Sequence, residues 1–366
     1  MFRCCCSTLS LLLLLAACTD KNDRIPKNEQ PPDRYRIPAS PFESQLNGMN
    51  IYFGNLHSHT FYSDGLMSNV NALLWARDTV GYDFYAITDH AELLTQQEWD
   101  DNLFVADSLS VPGKFIALRG FEWSSNTYGH CDVFNTSDFT NANDLPDLSL
   151  FYIWIMARNG LGQFNHPGRT GNNFDTLRFF PEARNFFFSI ETINRDYSNT
   201  GNTFLPFFQE ALDKGWQVAP AGNQDNHSMS TTCHRTALIA AELTLPGILE
   251  AMMNRRMYST DDPNLKIIFR FNEYWMGASV QHTGRATFFI CAEDDEPIQK
   301  LELLANGMIV DSCVPARTMN SILWNPSLII SGHSFYYLKV FTNNLKDNDN
   351  SIQTAITAPI WFNVQE

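Results

Sequence analysis

The sequence predicts an α/β fold that is followed by a small all-β region. Between Ile51 and about Pro263, apolar strand-like runs alternate with helical stretches, the arrangement that builds a parallel sheet or barrel with helices outside. After Pro263 the pattern changes to short alternating segments. The chain has 366 residues, 44% of them hydrophobic, so it can bury a full core and divide into one large and one small domain.

Elements of the first region follow from capping residues and periodicity. Ser68 can cap a helix whose apolar residues, from Val70 to Val80, recur at three-to-four spacing, and Gly81 can end it. Further helices are expected over 148–159, 203–214 and 245–255. Strands are expected over 51–56, 83–88, 115–121, 161–165, 186–190 and 217–221.

The C-terminal region is expected to form a small β-sandwich that packs on the first domain. Its predicted strands cover 266–271, 286–291, 301–304, 309–311 and 335–341. Asn306-Gly307 is a strong signal for a hairpin turn. We therefore divide the folded part of the chain into residues 49–263 and 264–366.

The N-terminal segment has the features of an export signal followed by a tether. Arg3 precedes an apolar core over 9–15, and Leu15-Ala16-Ala17-Cys18 resembles the lipobox of bacterial lipoproteins. The resemblance implies removal of residues 1–17, a lipid anchor at Cys18 and attachment to the bacterial outer membrane, facing the periplasm or the cell surface. An ordinary secretory signal is the alternative. Residues 18–48 are polar and proline-rich, which favours an extended tether.

The net charge narrows the classes of binding partner, and the cysteine content limits the possible disulfides. The formal net charge of −15 repels polyanions, so long nucleic acid is a poor candidate partner. Beyond Cys18 the cysteines are Cys131, Cys233, Cys291 and Cys313. A disulfide between Cys291 and Cys313 is one option and buried free thiols are the other. The sequence does not indicate an oligomeric state.

Six of the nine histidines lie in short clusters with acidic residues, mostly at the ends of predicted strands. His57 and His59 are two residues apart, so both side chains point to one face, and Asp225 and His227 repeat this spacing. Taken singly, each position has an ordinary explanation, such as a hydrogen-bonded core histidine. The joint pattern predicts a shared cation site at the C-terminal face of the sheet. Its candidate ligands are His57, His59, Asp64, His90, Glu122, His130, His166, Asp225 and His227.

The order of these residues resembles the PHP (polymerase and histidinol phosphatase) superfamily. The matching motifs are His-x-His with a downstream Ser-Asp-Gly, then Thr-Asp-His, a glutamate, two separate histidines and a final Asp-x-His, all within about Asn50 to Pro263. The resemblance implies a distorted (β/α)7 barrel with two or three divalent ions. One departure is the segment 222–227, which enters the last motif with one extra residue. The C-terminal segments 337–340 and 359–361 are similar to a carbaryl-hydrolase-like branch.

The resemblance also implies how the ligands divide. A first ion would take His57, His59, Glu122 and Asp225; Glu122 would bridge to a second ion held by His130 and His166; Asp64, His90 and His227 would hold a third. Imidazole and carboxylate ligands suit Zn²⁺, Mn²⁺ or Fe²⁺. Two such ions can lower the pKa of a bridging water, which gives a hydroxide nucleophile, and can polarise the scissile group.

Three further residues are candidate catalytic groups. Arg169 and Arg235 follow the ligand motifs and could contact an anionic group of a small substrate, while His234 could donate a proton to the leaving group. For each of them a solvated or structural role is the alternative.

The function predicted from these residues is metal-dependent hydrolysis of a phosphomonoester or phosphodiester. One alternative is cleavage of a carbamate, ester or amide by the same metal centre. Another is a non-catalytic surface binding protein that keeps metal only for stability, although a structural site usually needs four ligands rather than nine.

Overall fold

Six helices and twenty-one strands make up the described part of the chain, which in the computed structural model is residues 42–194, 202–230, 232–343 and 352–363. The predicted signal, the Cys18 anchor and nearly all of the 18–48 tether lie outside these residues. The helices are α1 (Asn69–Trp75, continued by a π-helical turn over Ala76–Val80), α2 (Gln96–Leu109), α3 (Leu148–Ala157), α4 (Asn173–Leu177, one turn with left-handed backbone angles), α5 (Leu205–Asp213) and α6 (Leu245–Met253), with 3-10 turns at Glu43–Gln45 and Pro181–Ala183.

The strands fall into two sets. Those of the first region are β1 (Asn50–Asn55), β2 (Phe84–Ile87), β3 (Ile116–Ser125), β4 (Gly129–Phe134), β5 (Leu161–Asn165), β6 (Phe187–Asn194), β7 (Asn202–Thr203), β8 (Ala219–Gly222), β9 (Arg235–Ala240) and β10 (Met257–Thr260). Those of the C-terminal region are β11 (Lys266–Phe271), β12 (Tyr274–Trp275), β13 (Ser279–Gln281), β14 (Gly284–Glu293), β15 (Ile298–Ala305), β16 (Met308–Cys313), β17 (Ser321–Trp324), β18 (Ser327–Ile330), β19 (Ser334–Asn343), β20 (Ile352–Thr357) and β21 (Ile360–Asn363).

Helix ends follow local capping chemistry. The Ser68 hydroxyl accepts a hydrogen bond from the backbone N–H of Asn71, and Gly81 takes a left-handed φ of 77° where the π-helical turn ends. α2, which the sequence analysis did not assign, begins with a capping box between Thr95 and Glu98. The Ser68 and Thr95 caps satisfy backbone N–H groups that the helices themselves leave without partners, and at the other end of its helix the Gly81 N–H donates to the Ala76 carbonyl.

The first region is a mixed sheet rather than a regular parallel one. β1, β2 and β3 pair in parallel, β3, β4 and β5 pair antiparallel, and β5, β6 and β8 pair in parallel, while β9 runs antiparallel to β1. Among the described residues no ladder joins β8 to β9, although the Thr236 hydroxyl donates to the Gly222 carbonyl at 3.0 Å. An α/β fold is confirmed, and a closed (β/α)7 barrel is not.

The C-terminal region is β-rich, as predicted, but one of its sheets continues the sheet of the first region. β10 pairs antiparallel with β20, so β19, β20 and β21 extend the large sheet, while β11, β12, β14, β17 and β18 form a second sheet of five strands. The Asn306-Gly307 turn joins β15 to β16 with φ values of 47° and 81°, the positive angles that a type I′ turn needs. The boundary near residue 264 stays a prediction of domain organisation.

The four described cysteines are free thiols, so the Cys291–Cys313 option is not realised in this structure. Burial raises the pKa of the Cys291 thiol to about 11, which keeps it protonated and unreactive at neutral pH. None of the described helices has the length and apolar character needed to cross a membrane.

Candidate metal centre

The nine predicted ligands meet at one end of the sheet. Short bridges extend the pairing past the strand ends, because Ser58 pairs with Asn226 and His90 with Glu122. The segment after β8 therefore lies beside the segment after β1, and this brings Asp225 to His57. The ligand atoms fall into four overlapping groups within 4.8 Å of one another: His59, Asp64, His90 and His227; His57, His166 and Asp225; His57, His59 and Glu122; and His90, Glu122 and His130.

The β3–β4 hairpin sets the position of His130. This residue pairs with Ser124 on one side and with Asn165 on the other. Residues opposite each other in an antiparallel pair point to the same face, so His130 shares a face with Ser124 and hence with Glu122. No strand is predicted here from the sequence, and β4 is what positions this ligand.

Glu122 lies at the centre of the cluster. Its side chain is fully buried, with five imidazoles around its two carboxylate oxygens. Burial alone would raise the pKa of Glu122, but His130 and His57 hold it well below its usual range. The closest nitrogens belong to His90 (2.7 Å), His57 (3.1 Å), His130 (3.4 Å), His166 (3.4 Å) and His59 (3.8 Å).

Asp225 is the second buried carboxylate that faces the histidines. One oxygen lies 3.4 Å from His57 Nε2 and 3.2 Å from His59 Nε2, and the other accepts a 2.7 Å hydrogen bond from Arg169. Burial opposes its ionisation, but the neighbouring His57 and His59 hold the pKa of Asp225 well below its usual range. It therefore stays negatively charged and available as a ligand.

Two of the ligands sit on left-handed backbone. Asp225 has a φ of 48° and His166 a φ of 25°. Such angles cost on the order of 1–3 kcal/mol at a non-glycine residue and persist only where the surroundings hold them. Near Asp225, the pairing of β6 with β8 shifts register between Glu191 and Ile193. This irregularity lies close to segment 222–227, which has one residue more than the corresponding motif of the superfamily.

The third acidic ligand faces solvent. The Asp64 side chain is 51% exposed, and its Oδ1 lies 3.1 Å from His227 Nε2 and 3.6 Å from His90 Nε2. The hydrogen bond from His227 lowers the pKa of Asp64 to about 2. His59 Nδ1 is 3.8 Å from the same oxygen, so the structure adds His59 to the group that the resemblance gave as Asp64, His90 and His227.

Glu191 is a buried acid that the sequence analysis missed. Its Oε1 lies 3.0 Å from His57 Nδ1, and its Oε2 accepts from the backbone N–H of His166 at 2.6 Å. Despite the burial, which would raise it, the pKa of Glu191 is lowered by His57. A carboxylate on Nδ1 fixes the ring so that Nε2 points at Glu122 and Asp225. The available signal was an alternation of polar Ser189 and Glu191 within a fully buried strand.

Asp89 shapes the loop that carries Asp64. It accepts hydrogen bonds from the Thr60 backbone N–H (2.6 Å), the Thr60 hydroxyl (2.7 Å) and the Ser63 hydroxyl (2.6 Å). The Ser63 oxygen in turn lies 3.3 Å from His59 Nδ1. Asp89 therefore supports the loop between His59 and Asp64.

The three candidate catalytic residues have different surroundings. Arg169 lies in the site, where it donates to Asp225 and, at 3.0 Å, to Asn194. Arg235 instead donates to the carbonyls of Thr232 and His234 and lies 4.5 Å from the Tyr82 ring.

His234 pairs with Asp261, 2.8 Å from its Nδ1. Burial would lower the pKa of His234, but this hydrogen bond raises it to about 9. These contacts favour structural roles for Arg235 and His234, whose catalytic roles stay predictions.

The donor set fits divalent cations. Among the described residues, His166 Nδ1 is buried without a hydrogen-bond partner, and His130 Nδ1, also buried, lies 3.4 Å from the Glu122 carboxylate. His57 Nε2 and His59 Nε2 are only 3.1 Å apart, and both face the same carboxylates. Shared cations account for so many imidazoles crowded around buried carboxylates. The cluster is thus capable of binding metal ions.

No family model and no curated protein matches the chain. Among solved structures it is similar to a two-domain protein from Bacteroides vulgatus that contains a predicted PHP-like metal-dependent phosphoesterase (18% identity, 81% of this chain and 92% of that chain covered, TM-score 0.48). It is also similar to PsfC from Pseudomonas syringae (16% identity, 52% of this chain and 82% of that chain covered, TM-score 0.37). A third similar structure is that of the fibronectin(III)-like modules of CbhA from Clostridium thermocellum (15% identity, 28% of this chain and 99% of that chain covered, TM-score 0.18). These likenesses are distant, so the function is inferred from the residues of the site.

Proposed function

We propose that this protein is a metal-dependent hydrolase of the PHP type that cleaves phosphomonoesters or phosphodiesters. The observation that carries the proposal is that nine candidate ligands, in the motif order of that superfamily, meet in overlapping groups, with five of their imidazoles around the buried carboxylate of Glu122. A site that only stabilised the fold would need four ligands.

The chain offers enough donors for two or three ions. In the division that the resemblance implies, His57, His59, Glu122 and Asp225 would hold the first; Glu122, His130 and His166 the second; and Asp64, His90 and His227, with His59 close by, the third. The observed groups differ from it in that His166 lies with His57 and Asp225, and His90 lies with Glu122 and His130. When bound, divalent ions would lower the pKa of water toward neutrality and polarise the phosphoryl oxygen.

The protein's own groups prepare the ligands. Glu122, Asp225 and Asp64 have lowered pKa values, so at neutral pH they are already ionised. Glu191 orients the ring of His57, and Asp89 supports the loop of Asp64. Little rearrangement is then needed before a substrate can be held.

The contacts of Arg169 support the proposal that the substrate is anionic. Its side chain is 33% exposed, and its bonds to Asp225 and Asn194 use two of the five N–H donors of a guanidinium. The planar group can contact a phosphate beside the ligands, which favours phosphate esters over neutral carbamates.

The test is an assay of the purified full chain loaded with Mn²⁺, Zn²⁺ or Fe²⁺ against paired nitrophenyl phosphate and carbamate substrates. We expect hydrolysis of the phosphates, loss after chelation and recovery when metal is returned. Activity on carbamates or esters alone would reject the phosphoesterase and keep the metallohydrolase. A folded, metal-replete protein inactive on the whole panel would favour the binding-protein alternative.

Export and lipid attachment at Cys18 are a separate proposal that rests on the sequence of residues 1–18. Labelling with a radioactive fatty acid in a bacterial host should mark the full chain, and Cys18→Ser should abolish the label. Secretion of an unlabelled wild-type protein would support the ordinary signal instead.

A further inference from the structure

Three large apolar side chains are exposed beside the solvent-facing ligands of the metal centre. Phe61 is 62% exposed, Leu66 64% and Leu93 56%. Single apolar residues on a surface are normal, and the described part of the chain has others. These three are distinguished by their location, because each lies in a turn next to a partly exposed ligand. The metal chemistry described above does not use them.

Phe61 and Leu66 lie on either side of Asp64 in one short loop. The Leu66 N–H donates to the carbonyl of the ligand His227 at 2.7 Å, and the Phe61 N–H donates to the Met67 carbonyl at 2.9 Å, which closes the loop. Asp64 Oδ1 in turn lies 3.1 Å from His227 Nε2. Both apolar residues therefore belong to the backbone segment that positions Asp64 beside His227.

Leu93 lies in the turn that begins at His90. Its N–H donates to the His90 carbonyl at 3.0 Å, and His90 Nε2 lies 3.6 Å from Asp64 Oδ1. The loop over 61–66 and the turn over 90–93 thus meet at Asp64. Exposed apolar side chains from two separate segments of the chain adjoin the same open end of the ligand cluster.

The loop over 61–66 is held in place by contacts of its other residues. A Cβ at Gly65 would lie 2.3 Å from the His59 carbonyl oxygen, so the loop packs directly on the backbone of a ligand and only glycine fits there. The Tyr62 hydroxyl donates to Asp101 at 2.6 Å, which ties the loop to α2. A loop fixed in this way loses little freedom when a ligand binds, so contact with its apolar side chains adds affinity at low entropic cost.

We propose that Phe61, Leu66 and Leu93 bind the organic group of the substrate, and that the substrate is therefore a small phosphate ester of an apolar alkyl or aryl alcohol. This inference rests on the proposed function, in which the phosphate binds at the metal ligands beside Arg169. Contact between the organic group and these side chains removes apolar surface of both partners from water.

A membrane surface fits the same side chains less well. Asp64, which lies between Phe61 and Leu66, is half exposed and ionised, and the chain carries a formal net charge of −15. Anionic headgroups would be repelled by this charge, whereas a small ester would place its own phosphate on the cations.

The test measures binding rather than turnover. The metal-loaded full chain is titrated by calorimetry with methyl-, butyl- and phenylphosphonate, whose carbon–phosphorus bond resists hydrolysis. In the wild type we expect affinity to rise about two- to fourfold for each added methylene, and phenylphosphonate to bind more tightly than methylphosphonate. In the triple variant Phe61→Ser, Leu66→Ser, Leu93→Ser this gain should largely disappear. Leu323→Ser changes a leucine that is 60% exposed on β17 and should keep the gain of the wild type.

The outcomes that would overturn the proposal differ in what they reject. Equal affinity of the wild type for all three phosphonates would reject the apolar contact and keep the phosphate site, whereas no phosphonate binding at all would reject the phosphoesterase as well. An unchanged gain in the triple variant would place the organic group elsewhere. Leu93→Ser alone, in its separate turn, should lose part of the gain and keeps the test valid should the triple variant not fold.

A membrane role would give a different result. Sedimentation with phosphatidylcholine vesicles that the wild type shows and the triple variant lacks, without any gain in phosphonate affinity, would assign the three side chains to a membrane surface and reject the proposal.

Discussion

The floor and the rim of the candidate metal centre are built differently. The floor, His57, His59, Glu122, His166 and Asp225, is buried, whereas the rim, Asp64, His90, His130 and His227, is partly exposed. Floor carboxylates each contact several imidazoles, and Glu191 supports His57 from behind. Floor residues therefore set both local structure and metal affinity, while rim residues should affect metal binding with little effect on folding.

The largest effect is expected at the centre of the floor. Glu122→Gln keeps the shape but removes the negative charge that five imidazoles surround. We expect metal content to fall from at least two equivalents per chain and turnover to drop by more than the roughly 10–100-fold that loss of an outer partner costs. Elemental analysis and the phosphate assay measure both, with exposed Glu182→Gln as control. Full metal content in Glu122→Gln would refute the central role of this residue.

Removal of the support behind the floor should have the next largest effect. Glu191→Gln weakens the hold on His57 Nδ1, so we expect metal affinity to fall about 10–100-fold while cooperative unfolding persists. Glu191→Asp should recover part of the affinity because it keeps the charge. Competition with a chromogenic chelator gives the affinity without any activity assay. Equal affinity in wild type and Glu191→Gln would make Glu191 a structural residue only.

At the rim, Asp64→Asn should separate metal binding from folding. Its side chain is half exposed, and we expect loss of the Asp64, His90 and His227 site with the other ions retained. The free energy of unfolding of the metal-free protein should change by no more than about 0.5 kcal/mol, as for substitutions at other exposed positions. Urea unfolding in EDTA and elemental analysis measure the two effects. A metal-free destabilisation equal to that of Glu122→Gln would remove the distinction between floor and rim.

The ligands were predictable because each lies in a short local motif, but their common surroundings were not. His57-x-His59 and Asp225-x-His227 are visible in the sequence, whereas β4 exists because it pairs with β3 across a hairpin that the sequence analysis did not assign. α2 was missed although its Thr95–Glu98 capping box is present, because it buries few of its residues and lacks a clear apolar stripe. Glu191 contacts His57 across 134 positions of sequence, a distance that no local pattern spans.

Whether the strands close into a barrel was the second feature that could not be predicted from the sequence. Strand order and direction depend on pairing between distant segments, such as β9 with β1 and β10 with β20. The alternation of strands and helices predicts an α/β sheet, yet it does not reveal that β4 and β9 run antiparallel to their neighbours. Fold class was therefore accessible from the sequence, and topology was not.

The smallest effect on metal binding is expected at His234 and Asp261, a histidine–carboxylate pair outside the cluster that needs no cation. The folded pKa of His234, about 9, lies above its ordinary 6.5, so the pair stabilises the protein fully below pH 6.5 and loses this contribution as pH rises through about 9. Asp261→Asn should thus cost about 1–2 kcal/mol at pH 6 and much less at pH 10, with or without EDTA. Unfolding at the two pH values measures this. Because the pair lies outside the metal ligands, turnover per bound ion should be the same in Asp261→Asn as in the wild type. A marked fall in turnover would instead indicate that His234 donates a proton, as its position after His227 allows.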